Sequence, residues 1–82
     1  MNKLQLSMLC SNQILVLKTG MELTAQAKTF RAHFKKLTGM RANAPHIEVL
    51  AVIKRIYIDN GIESEFLEKI ARHKAEHLLE QI

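Results

Sequence analysis

Five cations crowd one short stretch of the chain. Lys28, Arg31 and Lys35 stand at i, i+3 and i+7, a spacing that shares one face of a helix. Lys36 lies further round and Arg41 follows in the next loop, with Glu22 the only acid nearby. Such a row can neutralise phosphates along a DNA or RNA backbone, or dock on an acidic protein surface. Phosphate contacts of this kind position a protein without reading bases.

The remaining chemistry-bearing residues form no constellation of comparable weight. His73 and His77 are four apart, a spacing that lets two imidazoles share a metal, but no third ligand is spaced to complete the site. A solvated histidine pair is the expectation, with no metal and no cofactor. His33 and His46 have no partner assignable from spacing. Cys10 is the single cysteine. An intrachain disulfide is therefore impossible, a reducing, cytoplasmic compartment is expected, and the thiol reads as a small packed group rather than a nucleophile. No nucleophile has a readable base and no Gly-rich loop offers a phosphate cradle, so the chain reads as non-enzymatic.

Charge is distributed unevenly. Residues 1–60 hold nine Lys/Arg against three acids, whereas residues 61–82 hold three against five, within a net charge of +4 over 82 residues. The basic excess favours an anionic partner. No run approaches the roughly 18 unbroken apolar residues of a membrane span, and Leu4 to Leu17 is too interrupted by polar residues for a signal segment.

The elements that must carry these residues follow from periodicity. Lys3, Gln5 and Ser7 alternate with Leu4, Leu6 and Met8, the period of a half-buried strand. Ser11-Asn12 can turn and Ile14–Leu17 is a second short apolar run. A β-hairpin is expected over residues 1–20, or an appendage if Met21 is the true start. After Gly20, the stripe Leu23, Ala27, Phe30, Phe34 and Leu37 predicts a helix over about 22–38, closed by Gly39. Pro45 to Ile58 is the longest apolar-rich run. Its Val and Ile content suggests strand, but its length, its Pro start and one narrow polar strip of Glu48, Arg55 and Asp59 favour a helix over about 44–59, capped by Asn43 or Ala44. Asn60-Gly61 stops it. Ser64 then caps a third helix over about 64–81, with Glu65–Lys69 and Glu68–Arg72 as i,i+4 pairs and an apolar stripe that runs to Ile82.

The sequence thus predicts a mainly α single domain: a short N-terminal hairpin and three helices. So small a Leu/Ile core favours association as a homodimer. Two functional readings stand. One is a small phage- or plasmid-like regulator contacting nucleic acid through Lys28, Arg31, Lys35, Lys36 and Arg41. The other is a protein-interaction module, an adaptor or inhibitor of a larger protein. The last two helices loosely suggest a helix-turn-helix, but Glu65-Phe66-Leu67-Glu68 would meet phosphate with the wrong sign.

Overall fold

The structure, a computed structural model, describes all 82 residues. It contains four helices and no strand: α1 (Lys3–Thr19), α2 (Ala25–Thr38), α3 (His46–Asp59) and α4 (Glu63–Arg72), followed by a 3₁₀ turn at Glu76–Glu80. The mainly α expectation fits this architecture; the N-terminal hairpin is replaced by a helix.

The hairpin fails because the wrong period was read. Leu6, Leu9, Cys10, Gln13, Ile14 and Leu17 recur at helical spacing. Leu9, Cys10, Gln13 and Ile14 are fully buried, and Leu6 and Leu17 pack beside them. Gln13 interrupts that stripe with a polar residue, so the alternation of residues 3–8 stood out instead. The ends are specified locally. Asn2 Oδ1 accepts from the Gln5 N–H (2.8 Å), and Gln5 Oε1 accepts from the Asn2 N–H (2.9 Å), a reciprocal capping box. Gly20 closes the helix in the left-handed region, its N–H donating to Val16 O.

α3 carries the centre of the core. Val49, Leu50, Ile53 and Tyr57 are buried against α1, α2 and α4, and Tyr57 meets Phe66 of α4 with ring centroids 5.7 Å apart. Its start is shifted from the expected one. Pro45 is the cap residue with extended ψ and no side-chain cap bond, while Ala44, outside the helix, is buried. α2 is also rotated from expectation, since Leu37 is 61% exposed whereas Lys35 is only 7% exposed.

The third expected helix ends early. α4 begins at Glu63, with Ser64 inside it, and stops at Arg72. Lys74 takes φ of 53°, the only non-glycine residue with positive φ. The Ala75 N–H then reaches Ile70 O and the Lys74 N–H reaches Ala71 O, the paired bonds of a Schellman end. The reason is phase. Phe66 and Ile70 form the buried face of α4, and a straight continuation would aim His73 and His77 into the core. The turn re-phases the chain, so that Ala75 and Leu78 are buried instead. Of the two expected i,i+4 pairs, Glu68–Arg72 forms (2.8 Å). Glu65 instead bridges to Lys3 (3.0 Å), and Lys69 donates to Ser11 Oγ (2.8 Å).

A left-handed lysine is unfavourable relative to glycine. Lys74→Gly should therefore raise stability by up to about 1 kcal/mol, a few degrees in Tm for a chain of this size. Ala71→Gly, in the regular part of α4, should lower it by about 1 kcal/mol. Thermal unfolding followed by circular dichroism reads both signs; a destabilising Lys74→Gly contradicts the assigned turn.

Candidate functional site: a basic concavity on α2

The basic stretch is built on α2. Thr24 caps the helix, its Oγ1 accepting from the Ala27 N–H (3.1 Å), and Ala27 and Phe34 anchor it in the interior. That leaves the ridge through Arg31 and Lys35 facing residues 41–46, the connector to α3. Lys35 Nζ donates to Ala42 O (2.5 Å) and to Ala44 O (3.3 Å). Arg31 Nη2 donates to Ala44 O. The connector is short of regular structure, so these two cations satisfy carbonyls that would otherwise be left without donors.

Arg31 also reaches His46, at the start of α3. Its Nη1 lies 2.8 Å from Nδ1 and 3.0 Å from Nε2. His46 Nδ1 stands 2.6 Å from Gln13 Oε1, on α1. An amide oxygen only accepts and a guanidinium only donates, so Nδ1 cannot serve both neighbours; the tautomer with Nδ1–H donating to Gln13 leaves Nε2 as the acceptor for Arg31. In that tautomer the imidazole is neutral. Gln13 is fully buried and its Nε2 has no partner. Burial lowers the His46 pKa below the usual histidine value, and Arg31 and Lys35 lower it further. Burial presses Lys35 below the ordinary lysine value, with the Arg31 guanidinium adding to it.

The five predicted site residues therefore divide. Lys28, Arg31 and Lys35 line one concavity of about 450 Å³, whose other walls include Leu23, Ala32 and Ala42, with Glu22 and His46 as the remaining ionisable groups. Lys36 lies in an adjoining hollow of about 270 Å³ beside Met40 and Ala42. Arg41 is turned to Glu48 (2.7 Å). Lys28 and Lys36 are exposed and make no ion pair or hydrogen bond. Arg31 and Lys35 are not simply a solvated face; they face inward and hold the connector. Sequence reasoning missed Gln13 and His46. A glutamine inside an apolar run was the one available signal, because a polar residue at a buried position needs a partner.

The other candidates are dispersed. His73 is half-buried at the end of α4 and His77 lies exposed in the 3₁₀ turn, so the helix that would have aligned them ends between them. The structure contains no group of three or more His, Cys, Asp or Glu side chains able to hold a metal ion. Cys10 is fully buried, and that burial pushes its thiol up to about 12. Lys69, brought close by the fold, only partly opposes the shift. No helix is long and apolar enough to cross a membrane.

Comparison with known proteins yields no matching family model, curated protein or solved structure. The functional reading rests on the geometry.

Two outcomes follow from this geometry. Arg31→Met removes a donor to the Ala44 carbonyl and should cost about 1–3 kcal/mol, whereas Lys28→Met and Lys36→Met should stay within about 0.5 kcal/mol; denaturant melts separate them. Stability should also depend on pH. The lowered pKa values of His46 and His73 mean that the unfolded chain binds these protons first as pH falls below about 6.5. Stability contributed by the neutral imidazoles is therefore complete above that pH and declines as pH drops towards the folded values. His46→Asn, which keeps an N–H for Gln13, should flatten part of this slope in Tm between pH 7.5 and 5.

Proposed function

We propose that the protein is a small, non-enzymatic, cytoplasmic binding or regulatory protein that holds nucleic acid through the basic surface of α2. The carrying observation is that Arg31 and Lys35 are satisfied by neutral groups, two carbonyls and an imidazole, with no carboxylate ion-paired to either. Their charge is therefore not neutralised by a partner and adds to the field of the concavity that they line. Lys28 and Lys36 stand beside them, exposed and unpaired, and are the side chains free to meet phosphates. Arg41 joins them only by giving up Glu48. The first turn of α4 bears Glu63 and Glu65, which favours a contact through α2 over a helix-turn-helix contact through α4.

The test is a salt titration of binding to duplex and single-stranded oligonucleotides of unrelated sequence, read by fluorescence anisotropy. Affinity should fall steeply with salt and vary little with sequence. Lys28→Gln with Lys36→Gln should weaken binding uniformly and reduce the log–log salt slope by about 2. Absence of binding at low salt, or a slope unchanged in the double variant, refutes the reading. Arg31 and Lys35 are unsuitable probes, because their loss also releases the connector.

A second reading, self-association, draws on another face and is distinct from an adaptor or inhibitor of a larger protein. Met1, Leu6, Phe34, Leu37 and Ile56 line an apolar hollow with Thr38 as its only polar side chain, and Leu37 is left exposed there. A hollow without charge does not select a charged partner. The occupant proposed for it is a second copy of the chain, the homodimer that so small a core favours. Sedimentation velocity should show a dimer that Leu37→Lys converts to monomer; a wild-type monomer at high micromolar concentration removes this reading.

A further inference from the structure

A surface that only tracks a phosphodiester backbone needs cations spread along a ridge. On α2 three of them converge on one concavity instead. Lys28, Arg31 and Lys35 line it, with Glu22 as its only carboxylate. Three positive charges against one negative leave an excess of two. A phosphodiester carries a single negative charge, whereas a phosphate monoester carries close to two at neutral pH.

Hydrogen-bond capacity agrees with the charge. A guanidinium has five N–H groups and an ammonium three. Arg31 commits one to His46 and one to Ala44 O, and Lys35 commits two to the Ala42 and Ala44 carbonyls. Three donors on Arg31 and one on Lys35 remain, together with all three on Lys28. A monoester phosphate offers three terminal oxygens, which is one more than a backbone diester. The volume of about 450 Å³ exceeds what one phosphate needs, and Leu23 and Ala32 give it an apolar side against which a terminal nucleoside can lie.

We propose that this concavity seats the terminal phosphate monoester of a nucleic-acid strand, with Lys28, Arg31 and Lys35 as its cationic ligands and Glu22 as a carboxylate that weakens binding at the mouth. The proposal rests on the nucleic-acid reading and adds an end preference to it. Lys28 is free to close over the phosphate, whereas Arg31 and Lys35 are already fixed by the connector. Glu22 makes no ion pair, so its main effect on an incoming dianion is repulsion.

The experiment compares internally labelled single strands of one sequence that end in a 5′-phosphate, a 3′-phosphate or hydroxyls only, at fixed ionic strength and pH 7.5. At least one phosphorylated strand should bind about tenfold tighter than the hydroxyl strand, the worth of one good charge-assisted contact. Lys28→Gln should remove most of that advantage. Glu22→Gln should enlarge it by about threefold, while Lys54→Gln, on α3 away from the concavity, should leave it unchanged. Millimolar inorganic phosphate should compete with the phosphorylated strand more than sulfate-free buffer of matched ionic strength does. Equal affinity for all three strands, with binding retained, overturns the end preference and leaves the backbone reading standing. Failure of every strand to bind overturns both. A phosphate advantage that survives Lys28→Gln and ignores Glu22→Gln places the phosphate elsewhere and overturns the site.

Discussion

Three helices meet through one polar chain: Gln13 of α1 to His46 at the start of α3, His46 to Arg31 of α2, and Arg31 with Lys35 to the carbonyls of residues 42 and 44. The rest of the fold depends on this latch. Apolar packing can hold α1, α2 and α3 together in several rotations, because their stripes are Leu, Ile and Phe of similar size. A buried polar chain is less tolerant. One wrong rotation would leave a lysine ammonium, an imidazole and a run of carbonyls unpaired at low dielectric. The latch explains why α2 turns Lys35 inward and Leu37 outward, an orientation that hydrophobicity alone would reverse. It is not free of cost: Gln13 Nε2 remains without a partner, and two like charges are held near one another. What is gained is a single arrangement of the connector, whose backbone bond within itself is the turn from the Ala44 N–H to Arg41 O.

The helix ends are fixed by a separate device. Gly20, Gly39 and Gly61 all take positive φ between 70° and 75°, and a Cβ at any of them would meet nothing within 4 Å. Their requirement is therefore conformational rather than steric. Each ends a helix, and together they are all the glycines of the chain. Where glycine marks the end, the boundary is legible in the sequence, as at Gly39 and Asn60-Gly61. Where a lysine does the same work, at Lys74, no residue type announced it, and the third helix was drawn through to residue 81. Phase opposes that straight helix: continuing from Phe66 and Ile70 aims His73 and His77 inward.

The same distinction runs through the candidate site. Composition and i, i+3, i+7 spacing were enough to bring Lys28, Arg31 and Lys35 to one face, because helix geometry is local. They were not enough to say which of them would be spent on the fold. That depends on the connector and the start of α3, seven to fifteen residues along in sequence, and on Gln13 from α1, where the alternation of residues 3–8 suggests a strand. Long-range polar partners leave no periodic trace, so His46 stood without a partner until α1 was in place. The alternation at residues 3–8 and the hidden latch have one origin, since the helix that carries Gln13 is the one whose period that alternation masks.

A cation held by structure is also a better ligand than a free one. Lysine and arginine lose up to about 2 kcal/mol of rotamer freedom when they are fixed, and a surface lysine surrenders it at the moment of binding. Lys35 and Arg31 have surrendered it on folding, to main-chain carbonyls that leave their remaining N–H groups in place. Lys28 and Lys36 are exposed and keep their freedom, and their field falls away with salt. Fixed and mobile charges thus stand side by side on one helix. His46 constrains the arrangement from below. Its protonation would add charge to the concavity, yet it would also turn an N–H towards Arg31 where a lone pair now accepts, so the latch would weaken as the field grew. The neutral imidazole is therefore the state in which the two fixed cations keep their positions on the connector.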